Sequence, residues 1–137
     1  MEWRDDLETG ISVVDEQHKE LFRQADILLD RNNAARVNDT LKFLEDYVVK
    51  HFGTEELMQN TTKYPRRDEH KKMHDDFIVT FGNLKQEFLN SGSDMLFIIK
   101  MTKIVVDWLN THIGIHDKDF GVFFKTCWQL GQEERDA

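Results

Sequence analysis

Apolar residues recur at alternating steps of three and four along four stretches of this chain, and this spacing constrains the fold more than any other feature. A residue at each such step returns to the same face of an α-helix. The clearest stretch predicts a helix from about Ala35 to Asn60, along which the steps continue without a slip over Val37, Leu41, Leu44, Val48, His51, Glu55 and Met58. The inward face of this helix therefore includes a histidine and a carboxylate.

Three further stretches share this period, and each ends at residues that favour turns. The predicted helices run from near Ser12 to Asn32-Asn33, from Arg66 to Asn90, and from after Ser91-Gly92-Ser93 to Gly114, with a fifth, shorter one from Lys118 to Trp128. Ser12 or Asp15 can cap the first helix, and Pro65 separates the second from the third. We therefore predict an all-α, antiparallel up-down-up-down four-helix bundle with an N-terminal arm and a short C-terminal helix.

The length of 137 residues predicts one domain. We divide it into an N-terminal arm over residues 1–11, a helical body over 12–128 and a polar tail over 129–137. Trp3 and Ile11 are available to pack the arm against the body. We expect a monomer or a weak homo-oligomer.

The formal net charge of -8 argues against partners that need a basic surface, namely nucleic acid and anionic membranes. No apolar run has the length of a transmembrane helix, and the first residues lack the apolar stretch of a signal peptide. The single cysteine, Cys127, cannot form an intramolecular disulfide. We therefore expect a cytoplasmic protein.

The chain contains six histidines, and five of them fall on the predicted inward faces. They are His18, His51, His70, His74 and His112. A polar ring nitrogen buried without a partner costs on the order of 1 to 3 kcal/mol, so five such rings are difficult to explain as core packing alone. A shared metal removes that cost and also explains the inward Glu55.

Spacing along the helices supports a metal site. Residues four apart share one helix face, so His51 with Glu55, and His70 with His74, each form a pair of ligands. A structural zinc site takes four ligands and usually includes cysteine. Nitrogen and oxygen donors in this number suit two iron or manganese ions bridged by carboxylate.

These residues resemble the hemerythrin family, and in particular its bacterial single-domain members. The family shows a histidine early in the first helix, His-x-x-x-Glu in the second, His-x-x-x-His in the third and His-x-x-x-x-Asp at the end of the fourth. Here the motifs stand, in order, at His18, His51 to Glu55, His70 to His74, and His112 to Asp117. The resemblance spans nearly the whole chain.

The resemblance implies a non-haem di-iron centre. His70, His74 and His112 would hold one iron, and His18 and His51 the other. Glu55 and Asp117 would bridge the two ions together with a solvent-derived oxygen. The iron with two histidines would keep an open position, at which dioxygen binds and is reduced as both irons pass from ferrous to ferric.

Matching positions also suggest the lining of an oxygen pocket: Leu21, Phe52, Trp108 and Ile115. All four sit at spacings that ordinary core packing would produce as well. An apolar lining would keep the site dry and slow the oxidation of the ferrous irons.

The fourth motif contains a conflict between helix geometry and the resemblance. In an unbroken α-helix His112 and His116, four apart, share a face, whereas Asp117 points well away. The family pattern selects Asp117, which requires the helix to end or loosen near Gly114. Charge favours Asp117 too, because a second carboxylate offsets ferric charge where a neutral imidazole cannot.

Reversible dioxygen binding, for storage, delivery or sensing, is the function that the resemblance implies, and we expect no enzymatic reaction. The alternative is a di-iron enzyme acting as a ferroxidase or in peroxide or nitric oxide detoxification. Ferritin-like enzymes use Glu-x-x-His pairs, and no glutamate lies three residues before a histidine here. A regulatory module is a third reading, for which the chain shows no second domain to receive a signal.

Overall fold

Four long helices form the body of the molecule. In the computed structural model, which describes residues 3–29, 37–91 and 95–136, they are α1 (Ser12–Leu29), α2 (Val37–Thr61), α3 (Arg67–Ser91) and α4 (Met95–Thr111). A π-helical turn, His112–Asp117, continues α4 directly into α5 (Lys118–Asp136). No strand occurs in these three ranges, and none of their helices is long and apolar enough to cross a membrane.

The helices pack as a ring in which α1 contacts α2 and α4, α2 contacts α3, and α3 contacts α4. Helices α3 and α4 are antiparallel: Phe88 near the end of α3 stacks on Phe97 near the start of α4, while His74 lies beside His112, the first residue after α4. The predicted four-helix bundle is thereby confirmed. The predicted turn residues Asn32, Asn33, Gly92 and Ser93 lie outside the described residues.

The last helix differs from its predicted length. It continues to Asp136 instead of ending near Trp128, and so takes in most of the predicted polar tail. Sequence periodicity finds a helix only where an apolar stripe marks it, whereas Gln, Glu, Leu and Arg propagate a helix without one.

The N-terminal arm packs against the bundle, as predicted from Trp3 and Ile11. Trp3 makes an edge-on contact with Phe22, with ring centroids 5.6 Å apart, and Ile11 is buried. Asp15 does not cap its own helix but reaches back to the arm, where its carboxylate accepts the backbone N–H groups of Thr9 at 2.8 Å and Gly10 at 3.1 Å. Gly10 has a φ of 85°, a backbone conformation that glycine adopts without strain.

Two apolar clusters lie on either side of the histidines. The larger one draws on every helix from α1 to α4 and includes Leu21, Phe52, Phe77 and Leu109. The smaller one consists of Ile11, Val14, Tyr64 and Phe120. On α1, for example, His18 falls between Val14 of the smaller cluster and Leu21 of the larger one.

Candidate metal centre

Seven side chains with metal-binding atoms converge in the interior of the bundle, and all seven are buried. They form two groups that share both carboxylates: Glu55, His70, His74, His112 and Asp117 in one, and His18, His51, Glu55 and Asp117 in the other. Within each group the ligand atoms lie within 4.8 Å of one another. The structure thus brings together every residue that the sequence predicted as a ligand.

Glu55 faces both groups with different oxygens. Its Oε1 lies 3.2 Å from Nε2 of His18 and 2.9 Å from Nε2 of His51. Its Oε2 lies 3.2 Å from Nε2 of both His70 and His74. A carboxylate with one oxygen toward each of two nitrogen groups has the arrangement needed to bridge two cations.

Asp117 divides its oxygens in the same way. Oδ2 lies 3.0 Å from Nε2 of His18, whereas Oδ1 lies 2.9 Å from Nε2 of His70 and 3.2 Å from Nε2 of His112. The two carboxylates therefore span the same pair of histidine groups from different helices.

The π-helical turn brings Asp117 to this position. In a π-helix the backbone bonds run from residue i to i+5, and here the Lys118 N–H donates to the Ile113 carbonyl. One turn of this kind places His112 and Asp117, five residues apart, on the same face. The helix thus loosens at Gly114 without ending, and this resolves the conflict between α-helical spacing and the family pattern.

His116 lies outside both groups of ligand atoms. It is half-buried beside the centre, with its ring 5.5 Å from that of His112 and 6.5 Å from that of His70. Burial and the neighbouring histidines lower its pKa.

The Nε2 atoms of His70, His74 and His112 lie close enough together to bind one cation. Nε2 of His112 lies 3.0 Å from Nε2 of His70 and 3.1 Å from Nε2 of His74. Two imidazole nitrogens at this distance share at most one proton, so the three rings cannot all present N–H groups. Imidazole nitrogens that converge in this way, next to two buried carboxylates, fit a metal ion that binds nitrogen and oxygen.

The pKa values of the buried side chains reflect this crowding. Burial disfavours a charged His18, but its hydrogen bonds with Asp117 and Glu55 outweigh burial and raise its pKa to about 9. Burial opposes ionisation of Asp117 as well, yet the surrounding histidines hold its pKa well below the usual range. The carboxylates are therefore anionic, as metal ligands must be.

The predicted lining of the oxygen pocket is only partly enclosed. Leu21 and Phe52 are buried, and Phe52 stacks on His74 with ring centroids 3.8 Å apart. Trp108 is half-buried and stacks on His112 at 4.3 Å. These two aromatic rings thus cover His74 and His112, two of the three histidines of the larger group.

Ile115 does not join these residues. Its side chain is 60% exposed and borders a surface cavity of about 220 Å³ beside His70 and His116, which disagrees with a role inside a closed pocket. The wider π-turn rotates Ile115 outward and Ile113 inward, and α-helical spacing could not anticipate this. Leu109, three residues before His112, is buried in the large cluster, and that spacing could have identified it.

A family model described as the hemerythrin HHE cation binding domain matches residues 9–122. The chain belongs to the hemerythrin family. It is 31% identical over 121 residues to a bacteriohemerythrin of Pseudomonas paraeruginosa, which covers 86% of this chain and 77% of that protein. It is also 31% identical over 112 residues to a myohemerythrin of Theromyzon tessulatum, covering 82% and 83% of the two chains.

Solved structures agree with this assignment. A wild-type hemerythrin crystal structure matches with a TM-score of 0.78 and 31% sequence identity, over 88% of this chain and 95% of that one. The hemerythrin resemblance noted from the four histidine motifs is therefore confirmed at the level of sequence and fold.

Proposed function

We propose that this protein binds dioxygen reversibly at a non-haem di-iron centre. The observation that carries the proposal is the division of the carboxylate oxygens between a group of three histidines and a group of two. His70, His74 and His112 would hold one iron, and His18 and His51 the other. Glu55 and Asp117 would bridge them, together with a solvent-derived oxygen.

The unequal histidine groups support oxygen binding over a purely structural metal site. An ion with two histidines and shared carboxylates has fewer protein ligands than its neighbour, which leaves room for an exogenous ligand. Ferrous irons would supply the electrons that dioxygen accepts on binding and returns on release.

Apolar residues cover part of the centre and would limit the access of water from that side. Phe52 and Trp108 cover His74 and His112, and Leu21 lies in the large apolar cluster one turn after His18. Leu109 belongs to the same apolar cluster. An apolar lining that excludes water would slow solvent attack on the centre and favour release of dioxygen over irreversible oxidation.

Anaerobic reconstitution with ferrous iron, followed by exposure to air and then to vacuum, tests the proposal. We expect a colourless ferrous protein that develops a visible charge-transfer band in air and loses it under vacuum. The zinc-loaded protein is the matched control and should show no band. Continuous oxygen consumption over many turnovers would contradict the proposal and favour an oxidase or ferroxidase.

A further inference from the structure

The side chain of Gln17, next to His18 on α1, lies outside the proposed ligand set but contacts one of its members. Its Oε1 lies 2.7 Å from Nδ1 of His51, the ring nitrogen that faces away from the carboxylates. Nε2 of the same ring lies 2.9 Å from Glu55. Gln17 therefore joins α1 to a proposed ligand on α2.

A chain of hydrogen bonds determines which way the Gln17 amide points. The Thr54 hydroxyl donates to the Lys50 carbonyl at 3.1 Å, which leaves its oxygen free to accept. Nε2 of Gln17 donates to that oxygen at 3.4 Å. With its nitrogen directed at Thr54, the amide presents its oxygen to His51.

The amide oxygen can only accept, so Nδ1 of His51 must donate. With a metal bound, the imidazole would then be held as the tautomer in which Nε2 presents its lone pair to the ion. Metal-binding histidines that donate their second nitrogen to an acceptor have a fixed ring orientation and greater basicity. By contrast, Nδ1 of His18 has no hydrogen-bond partner among the described residues.

We propose that Gln17 is a positioning residue for the two-histidine metal, which it controls through the orientation and tautomer of His51. This inference rests on the proposed function, because it takes His51 as a ligand through Nε2. Since the two-histidine metal is the one with the open position, the bond between Gln17 and His51 acts on the ion at which dioxygen would bind.

The test compares Gln17→Leu with Gln17→Glu, which keeps an accepting oxygen, and with Gln24→Leu as the matched control. Gln24 lies on the same helix and donates to the Glu20 carboxylate, away from the centre. Release of ferrous iron to a chelator is followed anaerobically in each protein. We expect Gln17→Leu to release one iron about 10 to 100 times faster, with Gln17→Glu and Gln24→Leu close to wild type.

Thr54→Val provides a second variant with nearly unchanged shape. Without the hydroxyl the Gln17 amide is free to turn over, so we expect an intermediate acceleration of iron release. In the zinc-loaded proteins, nitrogen NMR should find a proton on Nδ1 of His51 in wild type and a changed signal for it in Gln17→Leu. A purely structural bond between α1 and α2 would lower the stability of the metal-free protein without this selective effect.

An unchanged rate of iron release in Gln17→Leu, or an equal acceleration of iron release in Gln17→Leu and Gln17→Glu, would overturn the proposal. A failure of the proposed function is visible separately, because the wild-type protein would then bind fewer than two irons or would not release dioxygen under vacuum. Two irons in wild type with an unaffected Gln17→Leu variant would overturn the positioning role alone.

Discussion

Individual histidines of the metal-free centre hold protons with very different strengths. Burial opposes protonation of His70, but hydrogen bonds with Asp117 and Glu55 raise its pKa to about 9, as they do for His18. Burial dominates at His74, where His70 and His112 add to it and lower the pKa to about 4. The pKa values of rings a few ångströms apart are thus shifted in opposite directions.

These shifts predict a stability maximum for the metal-free protein near pH 6.5. His18 and His70 bind protons more tightly when folded, so their contribution is present below about pH 6.5 and is lost as the pH rises through about 9. His74 prefers the neutral form when folded, and its contribution is lost as the pH falls from about 6.5 to about 4. Chemical unfolding of the chelator-treated protein between pH 4 and pH 9 measures both slopes.

Bound metal should reverse the fall in the free energy of unfolding above about pH 6.5, because bound imidazoles must be neutral and metal affinity rises with pH. The difference in unfolding free energy between metal-loaded and metal-free protein should therefore grow from about pH 6.5 to about 9. A metal-free protein that becomes steadily more stable across that range would contradict the assigned protonation states.

At the scale of one element, the π-helical turn His112–Asp117 decides which side chain completes the centre. Six residues of π-helix join two α-helices without a gap, and they place Asp117 inward and His116 at the edge. Gly114, within the turn, has no positive φ, so this turn does not require glycine for its backbone conformation. A local change of helix type, and not a helix end, supplies the second carboxylate.

We therefore predict that Asp117→Ala sharply reduces iron retention or oxygen binding, since it removes the oxygens that face His18, His70 and His112. His116→Ala is the matched control one residue away and should keep two irons and the oxygenated spectrum. Iron analysis and the absorption spectrum of both variants measure the effect. The opposite result would mean that His116 is the ligand and that the segment is α-helical in solution.

For the molecule as a whole, the sequence predicted the bundle and the clustering of five histidines with Glu55, because both follow from which residues share a helix face. His51 and Glu55, or His70 and His74, need only a spacing of four to be placed together. The four motifs then identified the family, and the family supplied Asp117, which α-helical spacing alone would have rejected.

Other features depend on contacts that spacing does not encode. Gln17 on α1 forms a hydrogen bond with His51 on α2, and nothing in the sequence of α1 distinguishes Gln17 from Gln24. The family resemblance suggested Ile115 as part of an enclosed pocket, but its side chain is exposed on the π-helical turn. The continuation of α5 to Asp136 was missed because its last residues carry no apolar period.

Metal analysis of the purified chain tests the central claim most directly. Seven buried donors, divided into two groups by the oxygens of Glu55 and Asp117, predict two irons per chain after iron-supplemented expression. The metal should be quantified against protein concentration, with Asp117→Ala as the comparison. Two irons per wild-type chain is the predicted result, whereas a fully loaded protein with a single metal, or with zinc alone, would contradict the two-iron centre.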